Sequence, residues 1–167
     1  MYSEIGSEFW QYSSNEVNNY QIPQWLNWGK ENRLLASGRA ALDHIICDIK
    51  ATRKFKTVYM PSYCCQSMIE PFISNEVEVL FYEVVLNQKV GLHFNIDYNI
   101  NCDVVFIMGY FGYSSHDFNE IVQNFKIKRG KVIIEDATHS LFQIKAFNTN
   151  ADYVLASFRK WMASYKS

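Results

Sequence analysis

The run Asp103-Val104-Val105-Phe106-Ile107-Met108 constrains the fold more than any other stretch. Five apolar residues follow one another without alternation. That pattern suits a parallel strand covered on both faces, not the half-wet strand of an open antiparallel sheet. Similar short runs recur: Thr57-Val58-Tyr59-Met60, stopped by Pro61; Val77 to Tyr82; Lys131 to Glu135; and Tyr153-Val154-Leu155-Ala156. Helical patterns lie between them. Ser37 can cap a helix whose Ala40, Ala41, Leu42, Ile45, Ile46 and Ile49 share one face, and the spacing carries it to about residue 53. Further helices are expected over about 63–73, with Pro71 near the end, and over about 116–125. Val84 to Gly91 reads as loop, and Gln143 to Phe147 as a small extra strand. Strands alternating with helices predict an α/β domain with a mostly parallel sheet between two helical layers.

Two segments are expected. Residues 1–36 are polar and aromatic without clean period and read as a wrapping segment or a contact with a second subunit, anchored by Phe9, Trp10, Trp25 and Trp28. Residues 37–167 read as the α/β domain itself. A chain of 167 residues suffices for one such core.

Composition narrows the partners. Sixteen basic and 17 acidic side chains leave a net charge of −1, with no basic stripe, which argues against nucleic acid. No apolar run reaches membrane-spanning length, and no leader pattern opens the sequence, so a cytoplasmic protein is expected. Cys47, Cys64, Cys65 and Cys102 show no zinc spacing and read as reduced, buried thiols; no metal site is expected.

In a parallel sheet, ligands collect beyond the carboxyl ends of the strands, and the unusual residues fall there. Ser37-Gly38-Arg39 opens a helix whose free N–H groups suit a phosphate, though a plain serine cap explains the same residues. Tyr63 follows a strand and could stack on a flat ring, or could be core. Asp136, in Glu135-Asp136 at a strand end, suits a ring N–H, and His139 lies three residues on; a helix cap and a structural histidine are the plain alternatives. Ser157-Phe158-Arg159-Lys160 brings a hydroxyl and an amine to the neighbouring strand end, unless Arg159 and Lys160 are merely solvated. Together these give a phosphate cradle, an aromatic plate, a carboxylate for a pyridine nitrogen and a lysine for an aldehyde, which is what pyridoxal 5′-phosphate requires.

The same residues in the same order resemble the fold-type-I pyridoxal-phosphate enzymes, and among them the DegT/DnrJ/EryC1/StrS sugar aminotransferases. The Ser-x-x-Lys spacing at Ser157 and Lys160 is similar to that of other fold-type-I aminotransferases. The resemblance implies the fold-type-I large domain, truncated to its N-terminal, cofactor-binding part. By the same resemblance, Gly38 and Arg39 hold the phosphate with Ser37 and Ser157, Tyr63 stacks on the ring, and Asp136 meets its nitrogen. His139 then lies beside the ring and Lys160 is the catalytic lysine. It further implies an amino donor, a keto acceptor such as a nucleotide-linked sugar, and a homodimer. A folded, self-associating remnant without turnover is the rival, because family members continue well past the lysine. An unrelated nucleotide-binding module is disfavoured by the absence of Gly-x-Gly-x-x-Gly and phosphate-loop patterns.

Overall fold

A computed structural model describes residues 29–88, 91–112, 118–141 and 150–161. Its centre is a six-stranded sheet of order β3-β2-β1-β4-β5-β6. The strands are β1 Thr57–Pro61, β2 Glu78–Asn87, β3 Gly91–Asn95, β4 Val104–Met108, β5 Val132–Asp136 and β6 Tyr153–Leu155. All pairings are parallel except β2 with β3. Strands β4 and β5 are buried at every position, which the apolar runs at 104–108 and 132–134 suit and which takes the acids Glu135 and Asp136 inside with them.

Helix α1 spans Gly38–Thr52. Ser37 caps it, its Oγ accepting from the Ala40 N–H at 3.1 Å. Leu42, Ile45, Ile46 and Ile49 form its buried face. Cys47 points the other way and is exposed, as is Cys65, which caps α2 (Gln66–Ser74). The expectation of four buried thiols therefore holds for Cys102 alone, with Cys64 half-buried. Burial pushes the Cys102 thiol up to about 11, which keeps it protonated. Phe72 of α2 sits fully buried against Phe55 and Phe106.

The predicted loop over 84–91 is a correction. Strand β2 runs on to Asn87, and its second half leaves β1 to pair with β3 from Glu83↔Asn95 to Asn87↔Gly91. The ribbon is largely exposed, so its apolar alternation is diluted by polar residues and reads as loop. Gly91 starts β3 at φ +78°, a conformation glycine adopts freely. Helix α3 begins at Asn119 and passes at Val122 into a wider π turn that ends at Ile127, burying Ile121, Val122 and Phe125. The expected helical residues 116 and 117, the possible strand at 143–147 and the aromatic anchors before residue 29 lie outside the described residues. Among the described residues, no helix is long and apolar enough to cross a membrane.

Candidate cofactor site

Because β1, β4, β5 and β6 are parallel, their last residues share one edge of the sheet. Met108, Asp136 and Leu155 form a single rung, since Met108 pairs with Asp136 and Asp136 with Leu155. Ser62-Tyr63, Gly109 to Gly112, Ala137 to Leu141 and Ala156 to Trp161 leave from that edge. The N-terminus of α1 arrives at the same place: a Cβ built on Gly38 would lie 3.5 Å from Ser157 Cβ. The structure thus brings Ser37, Gly38, Ser157 and Asp136 to one end of the sheet, with Tyr63, His139 and Lys160 on loops from the same edge.

Asp136 is 5% exposed, although it ends its strand. Its Oδ1 accepts the Thr138 N–H at 2.8 Å. Among the described residues no lysine or arginine forms an ion pair with it. Burial raises its pKa, against the lowering effect of the Thr138 hydrogen bonds and of nearby His139. Glu135 is buried too, but alternation turns it to the opposite face.

Thr138 joins the two loops that carry the acid and the amine. Its Oγ1 accepts the Ser157 N–H at 3.0 Å, and its carbonyl accepts the Trp161 indole N–H. Between those contacts lies the short 3₁₀ turn Phe158–Lys160, which leaves Lys160 exposed at the edge. No described contact joins Lys160 to Asp136; what the fold supplies is adjacent strand ends and a shared tether.

At the helix tip, Ser37 Oγ and Ser37 O take the N–H groups of Ala40 and Ala41. The Gly38 and Arg39 N–H groups are left without acceptors within the helix. The Arg39 guanidinium pairs with Glu70 of α2 at 3.1 Å, so any part it has at an anion falls to its backbone N–H. Tyr63 is 61% exposed and offers a ring to the edge. Tyr110 OH donates to the Tyr63 carbonyl at 2.6 Å and fixes that turn. Burial pushes the Tyr110 phenol well up, so it stays a donor.

Thr138, Tyr110, Phe111 and Ser140 are site residues to which sequence reasoning gives no role, although Gly109 to Gly112 falls among the unusual residues expected at this edge. The signal for the middle pair was present, since Gly109-Tyr110-Phe111-Gly112 leaves a buried strand. Ser140 Oγ is buried without a partner among the described residues and would lie 3.3 Å from a Cβ on Gly109. Among the described residues there is no cluster of metal-ligating side chains.

No protein-family model matches the sequence, and no curated protein matches it. Solved structures do. A SepCysS–SepCysE N-terminal domain complex aligns with TM-score 0.58 and 13% identity over 80% of this chain and 39% of its own. Serine palmitoyltransferase of Sphingomonas wittichii aligns with TM-score 0.54 and 13% identity, over 80% and 36%. The E. coli GDP-4-keto-6-deoxy-D-mannose-3-dehydratase, solved with bound hydrated PLP, aligns with TM-score 0.54 and 16% identity, over 71% and 32%. The fold is that of the pyridoxal-phosphate-dependent fold-type-I large domain. The chain spans 32–39% of the length of these structures.

Proposed function

We propose that this edge of the sheet binds pyridoxal 5′-phosphate and serves amino transfer to a keto group, with a nucleotide-linked sugar as acceptor. The observation that carries the reading is Asp136: a carboxyl held out of water at a strand end, with a lysine in the turn that follows the neighbouring strand. A buried acid without a cationic partner is costly, and such groups gather at functional sites. A protonated ring nitrogen would add a cationic partner, which no lysine or arginine supplies among the described residues. Likeness of fold to a PLP-bound sugar dehydratase supports both the cofactor and the sugar.

In this reading each residue has a limited task. The Gly38 and Arg39 N–H groups, at the positive end of α1, bind the phosphate, and Ser37 and Ser157 add hydroxyls. Tyr63 covers one face of the ring. Asp136 keeps a proton on the ring nitrogen. Lys160 Nζ provides the amine, and when free it can move a proton at the reacting carbon. When bound, pyridoxal phosphate supplies an aldehyde that captures amines and a ring that draws electrons from the neighbouring carbon. The same reading includes the homodimer expected from the sequence and residues 37–167 as the cofactor-binding unit.

Absorbance spectroscopy tests the proposal. Adding pyridoxal phosphate to the purified protein is expected to produce a visible band that saturates at one equivalent and vanishes in Lys160→Ala. The same spectrum for both proteins would leave the folded, non-catalytic reading standing. Activity is then sought with glutamate or glutamine as donor and a nucleotide-linked keto sugar as acceptor.

A further inference from the structure

Aromatic rings from three neighbouring strand ends interlock above the sheet edge. Tyr63 follows β1, Tyr110 and Phe111 follow β4, and His139 follows β5. Tyr63 lies 5.8 Å from Tyr110 and 6.2 Å from Phe111, centroid to centroid. Phe111 lies 5.8 Å from the His139 ring with the planes 19° apart, a stacked pair.

Phe111 is the anomaly in this group. Its backbone sits at φ 55°, ψ 25°, the left-handed region that bulky residues avoid. Burial does not compensate, because the side chain is 65% exposed. Strain of this kind persists only where surrounding structure enforces it, and it gathers at functional sites. Here the unusual backbone aims the Phe111 N–H at His139 Nδ1, 3.4 Å away. An imidazole nitrogen that accepts a hydrogen bond carries no proton, so neutral His139 bears its proton on Nε2. The ring stack fixes the plane in which that Nε2–H points.

We propose that Phe111 is a positioning residue that locks His139 as its Nε2–H tautomer, a directed hydrogen-bond donor at the strand-end edge. That the donor serves the cofactor's ring substituents rests on the pyridoxal reading above; the lock on His139 does not. Leu or Val at position 111 would fill similar space without a flat face to stack, so the requirement is for an aromatic ring.

The experiment is nitrogen NMR of ¹⁵N-histidine-labelled protein without cofactor, above the imidazole titration range, with His139 assigned by its loss in His139→Gln. Wild type is expected to show unprotonated Nδ1 and protonated Nε2 with no exchange average. Phe111→Ala is expected to show a mixture of tautomers, and Phe111→Tyr to restore the single form. A mixture in wild type, or an unchanged His139 signal in Phe111→Ala, overturns the proposal. Pyridoxal phosphate titration supplies the second arm. Phe111→Ala should weaken binding about fivefold in the wild-type background and not at all in His139→Gln, the signature of two residues acting as one. Losses that multiply in the double variant refute action through His139. A protein that binds no pyridoxal phosphate defeats the cofactor reading, while the NMR result still decides the lock.

Discussion

Replacing Asp136 by asparagine should stabilise the protein. The two side chains have nearly the same shape. Asparagine Oδ1 can keep the 2.8 Å hydrogen bond from the Thr138 N–H, and its amide can donate to the Thr138 hydroxyl. What disappears is the buried charge. Desolvating a carboxylate costs several kcal/mol in a real protein, and charge-assisted hydrogen bonds return about 1.5–3 kcal/mol each. With Thr138 as its hydrogen-bonding neighbour, the remainder is an unfavourable ~1 kcal/mol, of the size that single stabilising substitutions commonly return. For a chain of this size that is a rise of about 2–4 °C in melting temperature. The sign of the pH dependence follows from the raised pKa. The native state holds the Asp136 proton more tightly than the unfolded chain, so the wild type loses stability as pH rises from the ordinary carboxyl range through the raised native value. Asparagine does not titrate. Its advantage should be absent at the acid end of that window, grow across it and stay level above. Urea denaturation followed by tryptophan fluorescence from pH 4 to 8 measures the difference. An Asp136→Asn protein that is less stable at pH 8, or a difference that does not change with pH, would refute the argument.

Other consequences are equally direct. Asp103→Ala should cost about 2 kcal/mol at pH 7, read by the same urea series, because Asp103 Oδ2 accepts from the Lys56 and Thr57 N–H groups at 2.8 and 3.0 Å. Ile134→Ala, in the fully buried centre of β5, should cost about 2–5 kcal/mol and lower the urea midpoint without changing cofactor stoichiometry. Arg39→Ala should leave pyridoxal phosphate affinity within about twofold, since its side chain pairs with Glu70 and such surface pairs contribute about 0–1 kcal/mol. A large drop in affinity would place that guanidinium at the phosphate instead.

Much of this arrangement is legible in the sequence, for local reasons. The runs at 104–108 and 132–134 announce strands buried on both faces, and Ser37 announces the start of α1 through a contact only three residues long. Once the strands are known to be parallel, Asp136 and Ser157 must fall on one edge. The rest depends on contacts between distant residues. Arg39 meets Glu70 across a helix pair, and no local pattern encodes that choice. The β2–β3 ribbon hides because it is exposed and so lacks a buried face to set its period. The interlock of Tyr63, Phe111 and His139 joins loops after three strands that are neighbours only in space.

Asp103 and Asp136 show how differently the two edges of one sheet treat the same side chain. Asp103 precedes β4 at the amino edge. Burial pushes its pKa up, but the N–H and hydroxyl groups of Lys56 and Thr57, with Lys131 nearby, hold it below the usual range. It therefore adds stability above the unfolded carboxyl pKa and loses it as pH falls through the lowered native value. Asp136 ends β5 at the carboxyl edge, and its shift has the opposite sign. The amino edge satisfies its carboxylate with several partners from the chain itself, whereas Asp136 at the carboxyl edge is buried with Thr138 as its hydrogen-bonding partner among the described residues, and Phe111 follows β4 at the same edge in a left-handed backbone. A fold under selection for stability alone would relieve both costs, since asparagine and glycine would do so at a single position each. Both departures fall at the carboxyl edge of the sheet, where the pyridoxal phosphate proposed above would bind. The asymmetry can be measured by urea denaturation across pH: Asp136→Asn should flatten the profile above the ordinary carboxyl range, where the raised value lies, and Asp103→Asn should flatten it below that range, where the lowered value lies. A profile as steep as the wild type's would mean that other groups govern the pH response and that the contrast between the edges has no energetic weight.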